Sequence, residues 1–285
     1  MAHYIGQELE KRFGKRFGAD TRAHWSHDPA THLIIFVHGF GGSPVKTWPQ
    51  FPTLVTQKTP LPSFDYIFYG YDGVRMQANS SALAFASALD DFLADPAAII
   101  NQTIPSMSQR APFSYQRILV VAHSLGAVVT RGALLHAHAR RESGVSVPWL
   151  DHVRLALFAP AHHGAYTAKI AYSALTSEGW SLGGLLSFFS ASQLPLLDDL
   201  QPGSTIITEL KDRTKTLIDQ YKAQGQPVPP FLRADAVVWA LKDTVVVNSR
   251  FFEDDPEVPI DSGHLGVCKP DRPDHKALEV VWKLL

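Results

Sequence analysis

Between Arg117 and Val129 the chain reads Arg-Ile-Leu-Val-Val-Ala-His-Ser-Leu-Gly-Ala-Val-Val. Four consecutive branched apolar residues, Ile118 to Val121, suit a strand covered on both faces, and the apolar run after Gly126 suits a buried helix. A buried strand that passes into a buried helix across so short a turn belongs in a mostly parallel sheet flanked by helices. Ser124 falls at the turn, where a serine is lifted out of the packed layers with its hydroxyl presented, the geometry of a nucleophile elbow. Strand and helix can approach there only if the residues two before and two after the serine are small. Ala122 and Gly126 meet that need, with alanine where the pattern G-x-S-x-G has its first glycine. The alternative is an ordinary buried turn serine.

The alternation continues on both sides. Leu33–Val37 is a second buried strand and runs directly into His38-Gly39-Phe40-Gly41-Gly42. Glycines this dense at a strand end let the backbone approach a ligand, and in acyl transfer that ligand is a carbonyl oxygen gaining negative charge. Phe40 and Leu125 are the expected N–H donors, with His38, Gly39 and His123 beside them on the substrate's side. The segment Trp48 to Pro52 starts a helix, Phe64 to Tyr71 forms a strand, and Ser80 to Ala94 forms a helix capped by Ser80 or Asn79 and stopped by Asp95-Pro96. Residues 96–116 read as loop. Val153–Phe158 and Ala236–Leu241 supply further strands. No repeat or linker divides the chain, so residues 1–285 are expected to form a single α/β domain with a doubly wound, mostly parallel sheet.

The strand rhythm stops after Pro160-Ala161-His162-His163-Gly164. Residues 165–230 are expected to form a helical cap inserted into that domain, with Phe188 and Phe189 in the apolar segment Trp180–Phe189 receiving an acyl chain. Pro202-Gly203-Ser204 opens a helix with Ile207, Leu210, Leu217, Ile218 and Tyr221 on one face. The competing arrangement is a helical pair packed outside the sheet.

A serine nucleophile needs a base and an acid, which follow it along the chain in this fold. Asp243 stands just beyond the strand Ala236–Leu241, at the carboxyl end where such sheets bind ligands, and is the leading acid. Asp235 lies at the wrong end of that strand. Asp254, Asp255 and Asp261 in the following loop are substitutes, and Asp198 and Asp199 are weaker ones. The chain has 13 histidines, and order restricts the base to His264 or His275. His264 sits in the glycine-flanked loop Asp261–Gly266, whereas His275 opens an amphipathic helix, so His264 is favoured. No histidine pair has metal-ligand spacing on one helix face and H-E-x-x-H is missing, so neither a metal nor a cofactor is expected.

With 45% hydrophobic residues the chain can bury a large core, and a net charge of -1 argues against nucleic acid as a partner. One cysteine, Cys268, rules out an internal disulfide framework and suits a reducing compartment. No apolar run reaches the roughly 18 residues of a spanning helix, and the N-terminus has no apolar signal core. A soluble, cytoplasmic protein is expected, and nothing in the pattern specifies an oligomer. Lys11 to Gly18 repeats two basic residues, Phe and Gly, and suits a solvated N-terminal hairpin or a peripheral membrane contact.

Taken together, His38–Gly42, Ala122–Gly126, Pro160–Gly164, Leu200–Ser204 and the stretch from His264 through Lys269-Pro270 resemble the α/β-hydrolase serine esterases. More narrowly they are similar to the lipase-like branch that includes the GPI inositol-deacylase-like proteins and the mitochondrial-associated serine-active-site lipid enzymes. The resemblance covers residues 31–285. It implies a serine carboxylester hydrolase or acyltransferase, often acting on lipid esters, with Ser124, Asp243 and His264 as triad. A thioesterase on the same triad and a catalytically silent binding protein are the alternatives.

Overall fold

The computed structural model describes residues 4–57, 62–104, 109–166, 169, 198–255 and 257–285. Eight strands form one sheet: β1 (Tyr4–Glu8), β2 (Arg22–Ser26), β3 (His32–Val37), β4 (Phe64–Tyr69), β5 (Arg117–His123), β6 (Val153–Phe158), β7 (Ala236–Ala240) and β8 (Glu257–Ile260). Their order is β1-β2-β4-β3-β5-β6-β7-β8. The pairs β1/β2 and β2/β4 are antiparallel, and every pair from β4 onward is parallel. Strands β3 to β7 are buried almost throughout, which is why their sequences run continuously apolar instead of alternating.

The order reverses at β3, which has β4 on one side and β5 on the other. Connections from β3 and β5 therefore leave in opposite senses, and a crevice opens between their carboxyl ends. The register pairs Val37 with Ala122, so the glycine-rich loop after β3 and the turn after β5 emerge side by side.

The helices are α1 (Leu9–Phe13), α2 (Phe51–Val55), α3 (Ala78–Ala94), α4 (Pro96–Thr103), α5 (Leu125–Glu142), α6 (Thr205–Ala223) and α7 (Lys276–Leu284). Helices α3 and α5 pack closely because Gly132 brings Ala82 so near that a Cβ on the glycine would stand 2.9 Å from it. Helix α6 lies on α5, with Ile207, Leu210 and Ile218 buried. Its start is set by Ser204, whose hydroxyl accepts the Ile207 N–H. The rest of the expected cap lies mostly outside the described residues, including Trp180–Phe189 with Phe188 and Phe189.

Two local expectations are corrected. Helix α3 begins at Ala78, so Asn79 and Ser80 lie within it. The carboxylate that meets its first N–H belongs instead to the distant Asp199, 3.0 Å from Ala78 N. Asp95-Pro96 ends α3 but also opens α4, because Asp95 Oδ1 accepts the Ala98 N–H at 2.9 Å and Pro96 takes the first helical position. Residues 96–103 are thus helical, not loop. The N-terminal segment forms the expected hairpin, with Lys11, Arg12, Lys15 and Arg16 exposed. β1 and β2 extend the sheet, and the basic repeat between them forms α1 and a 3-10 turn that buries Phe17 against Phe92.

Candidate active site

Ser124 links β5 to α5 with φ 52° and ψ -118°, a left-handed conformation that a non-glycine residue adopts at a cost. The turn is crowded from below. A Cβ on Gly126 would stand 2.5 Å from the carbonyl oxygen of His38 and 2.7 Å from that of Val37, so only glycine fits. A Cβ on Gly39 would stand 3.0 Å from Ser124 Cβ, so the loop after β3 lies directly against the elbow. Ala122 is completely buried, its methyl accepted where glycine is commoner.

His264 Nε2 is 3.0 Å from Ser124 Oγ, and His264 Nδ1 is 2.7 Å from Asp243 Oδ2. A carboxylate can only accept, so the proton rests on Nδ1 and leaves the Nε2 lone pair facing the serine hydroxyl. Asp243 follows β7 in a tight turn, and its other oxygen accepts the N–H groups of Val245 (2.7 Å) and Val246 (3.3 Å). Those two residues are tied in turn to the loop after β6, through the Tyr166 N–H to Val245 O and a bridge between Ala165 and Val246. From the same loop after β6, His162 and His163 donate from Nε2 to the carbonyls of Ser249 (3.3 Å) and Arg250 (3.0 Å), further along the segment that follows Asp243. Sequence reading gave these two histidines no role beyond the resemblance. Their pairing with a segment 87 residues away leaves no local signal.

Leu125 opens α5, so its N–H has no acceptor within the helix. Among the described residues neither it nor the Phe40 N–H donates to a protein acceptor. Both lie at the meeting of the elbow and the loop after β3. That loop is supported from the segment after β4 by Gly73 O, which accepts the Gly41 N–H, and by Tyr71, which the sequence reading also overlooked. Tyr71 stacks on the His38 ring at 4.4 Å and its hydroxyl donates to His38 O at 2.8 Å.

His38 and His123 do not line a substrate space as expected. His38 is fully buried with both ring nitrogens on backbone, Nδ1–H donating to Gly39 O at 2.9 Å and Nε2 accepting the Tyr71 N–H. Burial lowers its pKa to about 4, so it is neutral. His123 is also buried, with Nε2 3.0 Å from His264 O. Burial, followed by the nearby His264, holds its pKa well below the ordinary histidine value.

The alternative acids are occupied elsewhere. Asp254 is buried against Arg131 at 2.5 Å, Asp235 accepts the Leu155 N–H, Asp255 pairs with Arg233, and Asp261 pairs with Lys242. Asp199 caps α3 and Asp198 bonds Gln201. His275 accepts the Ala277 N–H as the cap of α7. Among the described residues no group of three or more His, Cys, Asp or Glu side chains could hold a metal ion. None of the described helices is long and apolar enough to cross a membrane.

A mostly parallel eight-stranded sheet, flanked by helices and carrying a strained serine at a strand-to-helix turn, defines an α/β-hydrolase. Within that class the chain belongs to the family described as "Putative serine esterase (DUF676)", whose pattern matches residues 27–223, and it is a serine ester hydrolase. That match contains Ser124 and ends before Asp243 and His264. No curated protein matches the chain by sequence. Among solved structures, esterase B from Lactobacillus rhamnosis is similar in fold, at 12% identity and a TM-score of 0.52, covering 99% of this chain and 86% of its own. The mature lipase BlEst2 from Bacillus licheniformis gives 17% identity and a TM-score of 0.48, covering 85% and 88%. The Pyrococcus furiosus esterase Pf2001 gives 12% and 0.49, covering 99% and 88%.

Proposed function

We propose that the chain hydrolyses carboxylic esters through an acyl-enzyme on Ser124, with His264 as base, Asp243 as acid and the Phe40 and Leu125 N–H groups as oxyanion donors. The observation that carries this reading is the unbroken line of contacts from Ser124 Oγ through both nitrogens of His264 to Asp243. A neutral serine hydroxyl is a weak nucleophile. As Oγ adds to the ester carbonyl, its proton passes to His264 Nε2, and the imidazolium is stabilised by the Asp243 carboxylate, whose Oδ1 is held in place by two backbone N–H groups. The carbonyl oxygen becomes an oxyanion within reach of the two free N–H groups. His264 Nε2–H then protonates the departing alkoxide. Water repeats the sequence on the acyl-enzyme, releasing the acid and restoring the serine.

The acyl part is proposed to be a lipid-type chain, supported by the apolar composition of Trp180–Phe189 in the insertion after β6. Peripheral membrane contact through Lys11–Gly18 has less support, since Lys11 pairs with Glu8, Arg16 with Asp91, and Phe17 is buried. A cytoplasmic setting is supported by Cys268, a free and buried thiol.

Labelling with a fluorophosphonate, together with a series of p-nitrophenyl esters from acetate to palmitate, tests both parts. Ser124→Ala should lose the label and about 10⁶-fold in kcat. For a chain buried on apolar wall, kcat/KM should rise about fourfold per methylene, the equivalent of ~0.8 kcal/mol, until the site is filled. Flat values along the series would remove the lipid assignment, and a labelled, active Ser124→Ala would remove the nucleophile.

A further inference from the structure

We infer that His123 is a positioning residue for the base, holding the His264 main chain against the strand that carries the nucleophile. The inference rests on the roles proposed for Ser124 and His264. His123 is the last residue of β5 and the covalent neighbour of Ser124, so its ring stands in a fixed relation to Ser124 Oγ. That ring reaches across to His264 O at 3.0 Å, and the two imidazole centres are 4.7 Å apart.

A carbonyl oxygen only accepts, so His123 carries its proton on Nε2 and leaves Nδ1 bare. Nδ1 faces the loop after β3, where a Cβ on Gly39 would come within 2.9 Å. Trp48 closes another side, edge-on at 6.4 Å. One ring is therefore wedged among the three segments that must keep register during turnover: the elbow, the oxyanion loop and the loop bearing the base.

The base needs such a tie. His264 lies between Gly263 and Gly266, where the backbone bonds are the short-range turns Gly266 N–H to Gly263 O and Cys268 N–H to Leu265 O, and the one long-range backbone bond of the loop, Lys242 N–H to Ser262 O at 3.0 Å, ties it to the turn bearing Asp243 and not to the strand bearing Ser124. Among the described residues no backbone bond joins residues 263–265 to β5. The His123 donor supplies that connection. It bonds the main chain of His264 and leaves both ring nitrogens of the base free for Ser124 and Asp243. Chemistry also requires the tie to be uncharged, because His264 becomes cationic when it takes the serine proton. The enclosed His123 stays neutral, as its lowered pKa requires.

Removing the donor should let the base drift and so lower kcat more than it raises KM. A displacement near 1 Å is worth about a hundredfold in rate. Two variants separate the donor from the ring. His123→Phe keeps a ring without the donor, and His123→Gln places an amide N–H at a reach similar to Nε2.

His123→Phe should lose about 10- to 100-fold in kcat with KM within about twofold, and should broaden or lose the low-field proton resonance of His264 Nδ1–H. His123→Gln should recover most of the rate and the resonance. If His123→Phe does not fold by thermal melt, His123→Asn, whose amide is too short to reach, replaces it. Wild-type kcat and an intact resonance in the donorless variant would overturn the role. So would a His123→Gln variant as slow as the donorless one at equal melting temperature. Ser124→Ala run alongside tells the two levels apart. If it stays active, the triad falls and the positioning role with it. If it is dead while His123→Phe is unimpaired, only the positioning role is lost.

Discussion

At Ser124 conformational strain and chemistry meet in one residue, and substitution separates them. Its left-handed backbone costs on the order of 1–3 kcal/mol for a residue with a Cβ, while glycine adopts it freely. Elsewhere alanine is the more stabilising of the two by about 0.5–1 kcal/mol, through the entropy of the unfolded chain. Here the order should reverse, with Ser124→Gly melting above Ser124→Ala although both have lost turnover. Equal melting temperatures, or alanine above glycine, would show that the turn stores no strain. Asp243→Asn should keep the fold yet lose about 10⁴-fold in kcat, because an amide can donate to Nδ1 and select the wrong tautomer of His264. A loss below tenfold would move the acid's role to another carboxylate.

Elements differ in how much of them the sequence reveals, and the reason is where their stabilising partners lie. Strands β3, β5, β6 and β7 were legible because burial on both faces writes an unbroken apolar run. Ser124, Asp243 and His264 could be singled out because each stands just past such a strand or in a glycine-flanked loop. β1 and β2 carry no such run, since they extend the sheet as a short antiparallel edge. Helix α4 was hidden because Asp-Pro signals both a stop and a start, and only the Asp95 bond to Ala98 N–H distinguishes them. The cap of α3 comes from Asp199, 121 residues away. The backbone partners of His38 and His123 were not legible, because bonds to the main chain of neighbouring loops leave no side-chain pattern.

The same kind of distant partnership anchors α5, where Arg131 meets Asp254 with both side chains at most 2% exposed and the guanidinium 4.2 Å above the Phe251 ring. Asp254 also accepts the Ala234 N–H at 2.8 Å. Asp254→Ala leaves a buried cation unpaired and should destabilise the fold by about 3–5 kcal/mol in urea melts. A cost below about 1 kcal/mol would mean that water reaches Arg131 and that the pair does not anchor α5.

Over the whole molecule, histidines buried in the neutral form make the fold sensitive to acid. His38, at the end of β3, and His24, on β2, are lowered to about 4, in each case chiefly by burial. His123 and His162 are held well below the ordinary value for the same principal reason. In the unfolded chain all four take up a proton near pH 6.5. Between about pH 6.5 and about pH 4 the unfolded state therefore binds more protons than the folded one, and stability increases with pH. The contribution is complete above pH 6.5 and is lost as the pH falls toward 4. A fully enclosed histidine such as His38 contributes a slope of up to about 1.4 kcal/mol per pH unit within that window. His24 is partly exposed and contributes less. The urea midpoint should accordingly fall steadily from pH 7 to pH 5. His24→Phe, which keeps a ring to stack on Tyr66 at 4.6 Å, should make that fall shallower without removing it. A midpoint unchanged across this range would mean that the buried histidines find compensating partners when protonated, and a slope untouched by His24→Phe would assign the whole effect to the more deeply enclosed rings.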